Sequence, residues 1–336
     1  MSSPKVLVIA PAFHQYGDAI SRAFIEIGYE STSFAYDGLP DLRAKVTNKL
    51  MIELPNRLGS DKGEDLRTRR ATERALAVLR STRPDRVVVV RGDALDGRFW
   101  SELVDIGVPT TVWLYDELVA MSHDLEHLRS VTAVATYSPN DASALTAAGI
   151  QASTLPLAFD ASVRFTARPA EEVVFVGAAY PSRVDALLSL HRSGVPIRAY
   201  GRDWSHAPFD RLRTWKLERP DLPWGREIDR ASGYGIMSGA SATLNLHGVQ
   251  DGFTMRTFEA CGSGALQIVD RPDVAMHFET GTELVVFDSP EEQLELCRRA
   301  IADRVWRDSI ASAGQRRALA EHTFAHRARS LEATWD

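Results

Sequence analysis

Residues 5–36 read KVLVIAPAFHQYGDAISRAFIEIGYESTSFAY, and the order of patterns in this stretch decides the fold. The apolar run at 5–10 predicts a strand, because it is too short for a core helix. Residues 18–30 carry apolar side chains at helical spacing, and residues 31–36 predict a second strand. A strand, a helix and a strand in this order are typical of a parallel sheet.

The same alternation continues through the first half of the chain. RVVVV at 86–90 shows no change between apolar and polar residues, which indicates a strand buried on both faces. TTVWLYD at 110–116 and AVATYS at 133–138 predict two further strands, and 138–150 predicts a capped helix that ends at Gly149. The first half is therefore predicted to form one α/β domain.

Periodicity stops between residues 155 and 171, where Pro156 and Pro169 bracket an irregular segment, and we place a domain junction there. The strand–helix pattern then restarts with EVVFVG and continues through IRAYG, SATLNLHG, ALQIVD and TELVVFD, before a helical tail. We therefore predict two tandem α/β domains. Because ligands bind at the carboxyl ends of such strands, the two domains are expected to face a common cleft.

Composition excludes several classes of protein. The 336 residues have a formal net charge of −6, which is unlike the basic surface that nucleic-acid binding requires. The two cysteines form no disulfide framework and favour a reducing compartment. No run approaches the roughly 20 apolar residues of a membrane span, and the N-terminal apolar run is shorter than a signal-peptide core. We expect a cytoplasmic protein with no nucleic-acid partner and no transmembrane segment.

The segment DGFTMRTFEACGSGALQIVD at 251–270 combines charged side chains with a predicted helix start. Arg256 precedes Glu259 by three residues, and Asp251 lies just upstream. Free N–H groups at a helix start suit phosphate oxygens, and an arginine adds a forked contact. A carboxylate one turn later can accept from the two adjacent hydroxyls of a ribose. The alternative is an ordinary ion pair between Arg256 and Glu259 within the helix.

NLHGVQDGFTMRTFEACGSGALQIVD resembles the donor-site signature of glycosyltransferases that have two Rossmann-like domains, the GT-B fold. It looks most like the CgeB-type group, named for a spore maturation protein. The segments RPDRVVVVRG, TTVWLYDE, TYSPND, LPLAFD, VVFVGAAYPSR and HTFAHRARSL agree, so the resemblance covers most of the chain. It implies an acceptor domain at 1–160, a nucleotide-sugar domain at 171–312 and a C-terminal helix at 313–336 that packs back on the first domain.

The resemblance also implies roles for particular residues in the second domain. Arg256 would hold the diphosphate of the donor, and Glu259 its ribose. Asp251 takes the place of the first of two glutamates that are separated by seven residues. That first glutamate faces the sugar, and the aspartate here is one methylene shorter. Thr257 is counted with these donor-binding residues. The donor is a nucleoside-diphosphate sugar, and no cofactor is expected.

Two turns of the second domain are further candidates for contacts to the donor. VGAAYPSR at 176–183 brings Gly177 and Arg183 toward a phosphate, or it is an ordinary turn with Arg183 in solvent. YGRDW at 200–204 places Arg202 or Trp204 near the nucleotide base, or Trp204 packs within the domain.

In the first domain, His14 and Asp116 follow predicted strands and are candidates for the base that accepts a proton from the acceptor hydroxyl. Each has a structural alternative, as a loop histidine or as a capping residue. The acceptor itself, whether a glycan, a protein or a small molecule, is unknown. Asp251 completes the candidate catalytic residues.

No metal site is expected. HDLEH at 123–127 has the i, i+4 spacing of a helical zinc site, but a surface helix explains it better. No Asp-x-Asp pair occurs in the sequence. Two other functions fit the same fold: a nucleotide-sugar epimerase, and a module that binds nucleotide sugars without turnover.

Overall fold

The computed structural model describes residues 3–38, 62–215 and 218–335. Residue contacts divide the chain into two compact units. Unit 1 comprises Met1–Leu157 and Phe324–Asp336, and unit 2 comprises Ala158–Thr323. No helix within the described ranges is long and apolar enough to cross a membrane.

Unit 1 contains a fully parallel sheet. Its described strands are β1 (Lys5–Ala10), β2 (Glu30–Ala35), β3 (Arg86–Val90), β4 (Thr110–Leu114), β5 (Ala133–Thr136) and β6 (Ala152–Thr154). Their order across the sheet is β2-β1-β3-β4-β5-β6. In the central register Ile9 lies opposite Val89, and Val89 opposite Val112. These three side chains are fully buried, which explains why the central strands show no polar alternation.

Several helices of unit 1 begin at a residue whose side chain caps them. Unit 1 contains the helices α1 (Tyr16–Glu26), α2 (Lys62–Thr82), α3 (Gly97–Ile106), α4 (Leu125–Arg129) and α5 (Pro139–Ala147). The Asp96 carboxylate accepts from the Arg98 N–H at the start of α3, and Gly107 ends that helix at φ 63°. Ser138 caps α5 in the same way, through the Asp141 N–H.

Unit 2 repeats this architecture. Its described strands are β7 (Ala170–Val176), β8 (Ile197–Tyr200), β9 (Trp224–Gly225), β10 (Ala240–Asn245), β11 (Gln267–Val269) and β12 (Val285–Val286). The parallel order is β12-β11-β10-β7-β8-β9. The helices are α6 (Pro181–Arg192), α7 (Pro208–Thr214), α8 (Arg230–Gly239), α9 (Met255–Gly262), α10 (Pro290–Ala302) and α11 (Arg304–Glu321). The predicted α/β class, with two tandem parallel sheets, is confirmed.

The C-terminal segment differs from the single helix expected at 313–336. The helix α11 continues to Glu321 within unit 2, and α12 (Phe324–Glu332) belongs to unit 1. The break between them has a physical cause, because the His322 carbonyl accepts from the Phe159 N–H at 2.8 Å and leaves the helical pattern.

The last helix is fixed to unit 1 by aromatic and polar contacts. Trp335, which follows α12, stacks on Phe24 with ring centroids 5.5 Å apart. The Tyr29 hydroxyl donates to the Glu332 carboxylate at 2.7 Å. The C-terminal helix is thus attached to unit 1 by contacts with residues near the start of the chain.

Candidate functional site

The carboxyl edge of the unit 2 sheet contains a topological switch point. The strands β8 and β9 lie on one side of β7, whereas β10, β11 and β12 lie on the other. Ligands of open α/β sheets bind in the crevice at such a point. Gly177 follows β7 there, and Leu246 follows β10.

Arg183, in the first turn of α6, connects the two sides of this switch point. Its Nε donates to the Leu246 carbonyl at 2.8 Å, and its Nη1 to the Ala178 carbonyl at a longer 3.4 Å. The guanidinium lies over the rings of Phe175 and Tyr180, at 5.6 and 4.8 Å from their centroids. Burial lowers the pKa of Arg183. Among the described residues no carboxylate lies within ion-pair distance of Arg183, although the charges of Tyr180 and Asp270 oppose the effect of burial. The guanidinium is therefore held mainly by carbonyl oxygens and aromatic rings.

The turn after β8 is closely packed against the turn after β7. Gly201 has φ 151°, and a Cβ there would lie 2.7 Å from the Gly177 carbonyl oxygen. The Trp204 side chain is 1% exposed, and its Nε1 donates to the same carbonyl at 2.8 Å. Trp204 therefore packs within unit 2, which was the alternative to a contact with the nucleotide base. Arg202 is exposed and pairs with Glu227 at 2.8 Å.

The segment between β10 and α9 is held by Arg271. Its Nη1 donates to the Gln250 carbonyl and its Nη2 to the Asp251 carbonyl, each at 2.7 Å. Its guanidinium lies 4.3 Å from the centroid of the Phe253 ring. Thr254 occupies the N-cap position of α9, but its side chain forms no capping bond. The backbone that carries Asp251 is thus fixed by Arg271.

Arg256 and Glu259 form an ion pair within α9, with Nη1 2.8 Å from Oε2. The Glu259 side chain is 3% exposed and that of Arg256 is 26% exposed. The Nε of Arg256 contacts neither solvent nor a hydrogen-bond partner. An unmade bond of this kind costs about 1–3 kcal/mol. The local helical pair therefore exists, and it leaves a guanidinium donor that an oxyanion could satisfy.

Thr257 lies inside unit 2 with its side chain fully buried. Its Oγ1 accepts from Asn245 Nδ2 at 2.9 Å and lies 3.3 Å from His247 Nε2. Because His247 Nδ1 bonds to the Asp270 carboxylate at 2.8 Å, we assign the Nδ1–H tautomer, in which the Thr257 hydroxyl donates to Nε2. If this hydroxyl donated to a phosphate oxygen, it would lose its bond to His247. A contact between Thr257 and the nucleotide sugar stays a prediction.

The sequence patterns do not predict a buried hydrogen-bond network that contacts Glu259. The Tyr234 hydroxyl in α8 donates to Glu259 Oε1 at 3.2 Å, and the Asp160 N–H donates to the Tyr234 oxygen at 3.4 Å. The Asp160 carboxylate is paired with Arg230. Tyr234 precedes Glu259 by 25 residues, so no local spacing relates the two. Only the fold brings them together.

In unit 1, Asp116 follows β4 and is paired with Arg91, which also binds Asp93 at 2.9 Å. Burial, reinforced by the charge of Asp93, raises the pKa of Asp116, although Arg91 opposes this shift. The backbone of His14 lies in the turn Phe13–Gln15, and its side chain is outside the described part of the structure. A catalytic role stays a prediction for both residues.

His123 and His127 do not share one helix, because Asp124 caps α4 and His123 precedes it. Both rings pack against Trp100, with centroid distances of 6.4 and 5.5 Å. In the described residues, no three His, Cys, Asp or Glu side chains form a group that could hold a metal ion. Both histidines therefore cover an indole ring.

Comparison with solved structures shows which fold this is. The chain superposes on sucrose-phosphate synthase from Thermosynechococcus elongatus with a TM-score of 0.63 and 12% identity, over 98% of both chains. For the Anabaena protein HepE in complex with UDP-glucose the TM-score is 0.61, with 12% identity over 98% of both chains. For a glycosyltransferase from Rickettsia africae it is 0.64, with 10% identity over 99% of this chain and 98% of that one.

Sequence comparison gives a match over part of the chain. Residues 183–333 match the family model Glyco_trans_1_2, described as glycosyl transferase-like. No curated protein matches the chain. The matched region begins at Arg183 and includes Arg256 and Glu259. The two α/β units thus have the GT-B fold, and most of unit 2 is similar in sequence to a glycosyl transferase-like family.

Proposed function

We propose that the protein is a glycosyltransferase of the CgeB-like group, which moves a sugar from a nucleoside diphosphate to an acceptor without a metal ion. The match of residues 183–333 to a glycosyl transferase-like family supports transfer, and it favours this reaction over epimerisation. The structurally similar Anabaena protein HepE is described in complex with UDP and with UDP-glucose, which makes uridine nucleotides the first ligands to test.

The proposal depends chiefly on the burial and the hydrogen-bond partners of Arg183. A half-buried guanidinium without a carboxylate partner among the described residues lies at the switch point of the sheet, held by two backbone carbonyls. Burial of a cation is unfavourable unless a counter-charge is supplied. A diphosphate would supply that charge at the place where this fold binds its ligands.

Arg256 and Glu259 extend the same interpretation. We propose that Arg256 holds the diphosphate and neutralises the charge that develops on the leaving group. Glu259 would accept from the ribose hydroxyls. Asp251, on the segment fixed by Arg271, would face the sugar, and Gly177 would let the diphosphate approach the turn after β7. Two further donor contacts remain proposed, from Arg202, which is exposed beside Glu227, and from Thr257.

Asp116 and His14 are the proposed acceptor-side bases. The raised pKa of Asp116 agrees with this role, since a base is most effective when its pKa approaches the working pH. Asp116→Asn should then lower turnover while leaving nucleotide affinity unchanged.

A thermal-shift screen with UDP, ADP, GDP, dTDP and their glucose conjugates tests the proposal. A ligand at a hundred times its dissociation constant adds about 2.7 kcal/mol of stability. Slow hydrolysis of one sugar nucleotide, undiminished by EDTA, is the expected activity. Release of an epimerised sugar would contradict the transferase reaction. Loss of turnover with EDTA would contradict metal independence. If no compound shifts the melting temperature, the donor site is contradicted.

A further inference from the structure

We infer that Tyr234 positions the Glu259 carboxylate for a ribose and thereby sets the preference of unit 2 for ribonucleotides over 2′-deoxyribonucleotides. This inference rests on the proposed donor site. It adds a residue that touches Glu259, in a helix that precedes the donor-site segment in the chain.

The two oxygens of Glu259 have different partners. Oε2 accepts from Arg256 Nη1 at 2.8 Å, and Oε1 accepts from the Tyr234 hydroxyl at 3.2 Å. If Arg256 shifts toward a diphosphate, the contact at Oε2 weakens. The bond from Tyr234 does not depend on Arg256, so it can keep the carboxylate plane in place while the ribose hydroxyls bind.

Tyr234 itself has little freedom to move. Its side chain is 1% exposed, and its ring contacts Phe159 and Phe165 at centroid distances of 5.1 and 5.7 Å. The next residue in α8, Gly235, would place a Cβ only 2.4 Å from the Thr166 carbonyl oxygen, so the helix backbone packs directly on that segment. A phenol fixed in this way presents its hydroxyl to Glu259 in one orientation.

The Tyr234 hydroxyl also links Glu259 to Asp160 through hydrogen bonds. It accepts from the Asp160 N–H at 3.4 Å, a long bond, while it donates to Glu259. Asp160 is anchored by its pairing with Arg230 and by the Ser162 hydroxyl at 2.6 Å. Hydrogen bonds in such a chain strengthen one another in a buried setting. Replacing Tyr234 with phenylalanine would remove the hydroxyl without changing the shape of the ring.

The test compares UDP, 2′-deoxy-UDP and pyrophosphate by calorimetry. Tyr234→Phe should weaken UDP about tenfold, as for a bond to a charged group. It should weaken 2′-deoxy-UDP less, because that ligand offers Glu259 only one of the two hydroxyls, and it should leave pyrophosphate unchanged. The matched control is Tyr29→Phe, which removes a tyrosine–glutamate bond of 2.7 Å in unit 1 and should preserve the preference for ribose.

If Tyr234 has only a structural role, Tyr234→Phe should lower the melting temperature and leave the ratio of UDP affinity to 2′-deoxy-UDP affinity unchanged. That result would overturn this inference but not the donor site. Wild-type protein that binds both nucleotides equally would also overturn the inference. Wild-type protein that binds no nucleotide would overturn the donor site as well.

Glu259→Gln gives a second test if Tyr234→Phe folds poorly. It should reduce the same ribose preference, and Tyr234→Phe should add nothing in its presence because Tyr234 acts through Glu259. Independent, additive effects of the two substitutions would contradict this positioning role.

Discussion

Arg183 and Arg256 both supply a guanidinium to the ligand-binding part of unit 2, yet their surroundings differ. Arg183 is held by carbonyl oxygens, whereas Arg256 is paired with a buried carboxylate. Among the described residues, Arg183 therefore has no carboxylate within ion-pair distance, and the Nε of Arg256 has no hydrogen-bond partner. Both conditions would be relieved by an oxyanion, which is why we assign the diphosphate to these two residues.

Arg256→Lys should separate recognition of phosphate from recognition of the nucleoside. A lysine keeps the charge but lacks the planar fork that binds two oxygens at once. We expect UDP to bind roughly ten- to a hundred-fold more weakly, with uridine nearly unaffected. Isothermal calorimetry measures both.

Arg304→Lys is the control for that experiment, because Arg304 is 83% exposed in α11 and pairs only at the surface, with Asp308. It should change neither affinity. If Arg256→Lys also leaves the affinity for UDP unchanged, Arg256 is an ordinary helix contact.

At the scale of elements, the surroundings of Gly233 and Gly235 in α8 predict opposite effects of one added methyl group. A Cβ at Gly233 would have only an ordinary contact, with Ile228 at 3.7 Å. A Cβ at Gly235 would lie 2.4 Å from the Thr166 carbonyl oxygen, where no flexible side chain can yield.

Gly233→Ala should therefore stabilise the protein by up to about 1 kcal/mol through helix propensity. Gly235→Ala should destabilise it by about 1–3 kcal/mol, because the helix must move off its neighbour. Urea denaturation of both variants gives the two values. Equal effects of the same sign would show that α8 does not pack as closely as described.

The turn that leads into α7 depends on an ionised carboxylate. Asp210 is buried and accepts from Arg226 Nε at 2.9 Å and from the Ser205 hydroxyl at 2.6 Å. The bond from Arg226 is the largest cause that lowers the pKa of Asp210. Because the folded pKa lies below the unfolded value of about 3.9, its contribution is present above that value. It is lost as the pH falls through the folded pKa.

Asp210→Asn should thus cost about 1–3 kcal/mol between pH 5 and 7, and the difference from wild type should shrink below about pH 4. Urea denaturation across this range is the measurement. A difference that stays constant down to pH 3 would show that the charge of Asp210 is not what stabilises the turn.

At the scale of the whole molecule, the architecture can be predicted from the sequence. Buried runs such as RVVVV and the strand–helix alternation predict both sheets, because each is encoded in consecutive residues. The network of Tyr234, Glu259 and Asp160 could not be predicted, since its members are far apart in the chain. The short strand β9 was missed for a different reason, because two residues show no periodicity.

The C-terminal segment should contribute to the stability of unit 1. Trp335 is 9% exposed and stacks on Phe24 of α1. Trp335→Ala should cost about 3 kcal/mol and lower the melting temperature by roughly 6–12 °C. The comparison is Trp215→Ala, whose side chain is 53% exposed in unit 2. Scanning calorimetry that finds equal shifts for both variants would refute this role.

Hydrogen exchange with and without UDP tests the central claim, that unit 2 binds the donor nucleotide at its switch point. We predict slower exchange of backbone amides in residues 177–183 and 255–259, because these segments carry Arg183, Arg256 and the first turn of α9. Exchange in β1 and β3 of unit 1 should stay unchanged. Protection by UDP, ADP, GDP or dTDP that appears only in unit 1, or no protection by any of them, would contradict the account.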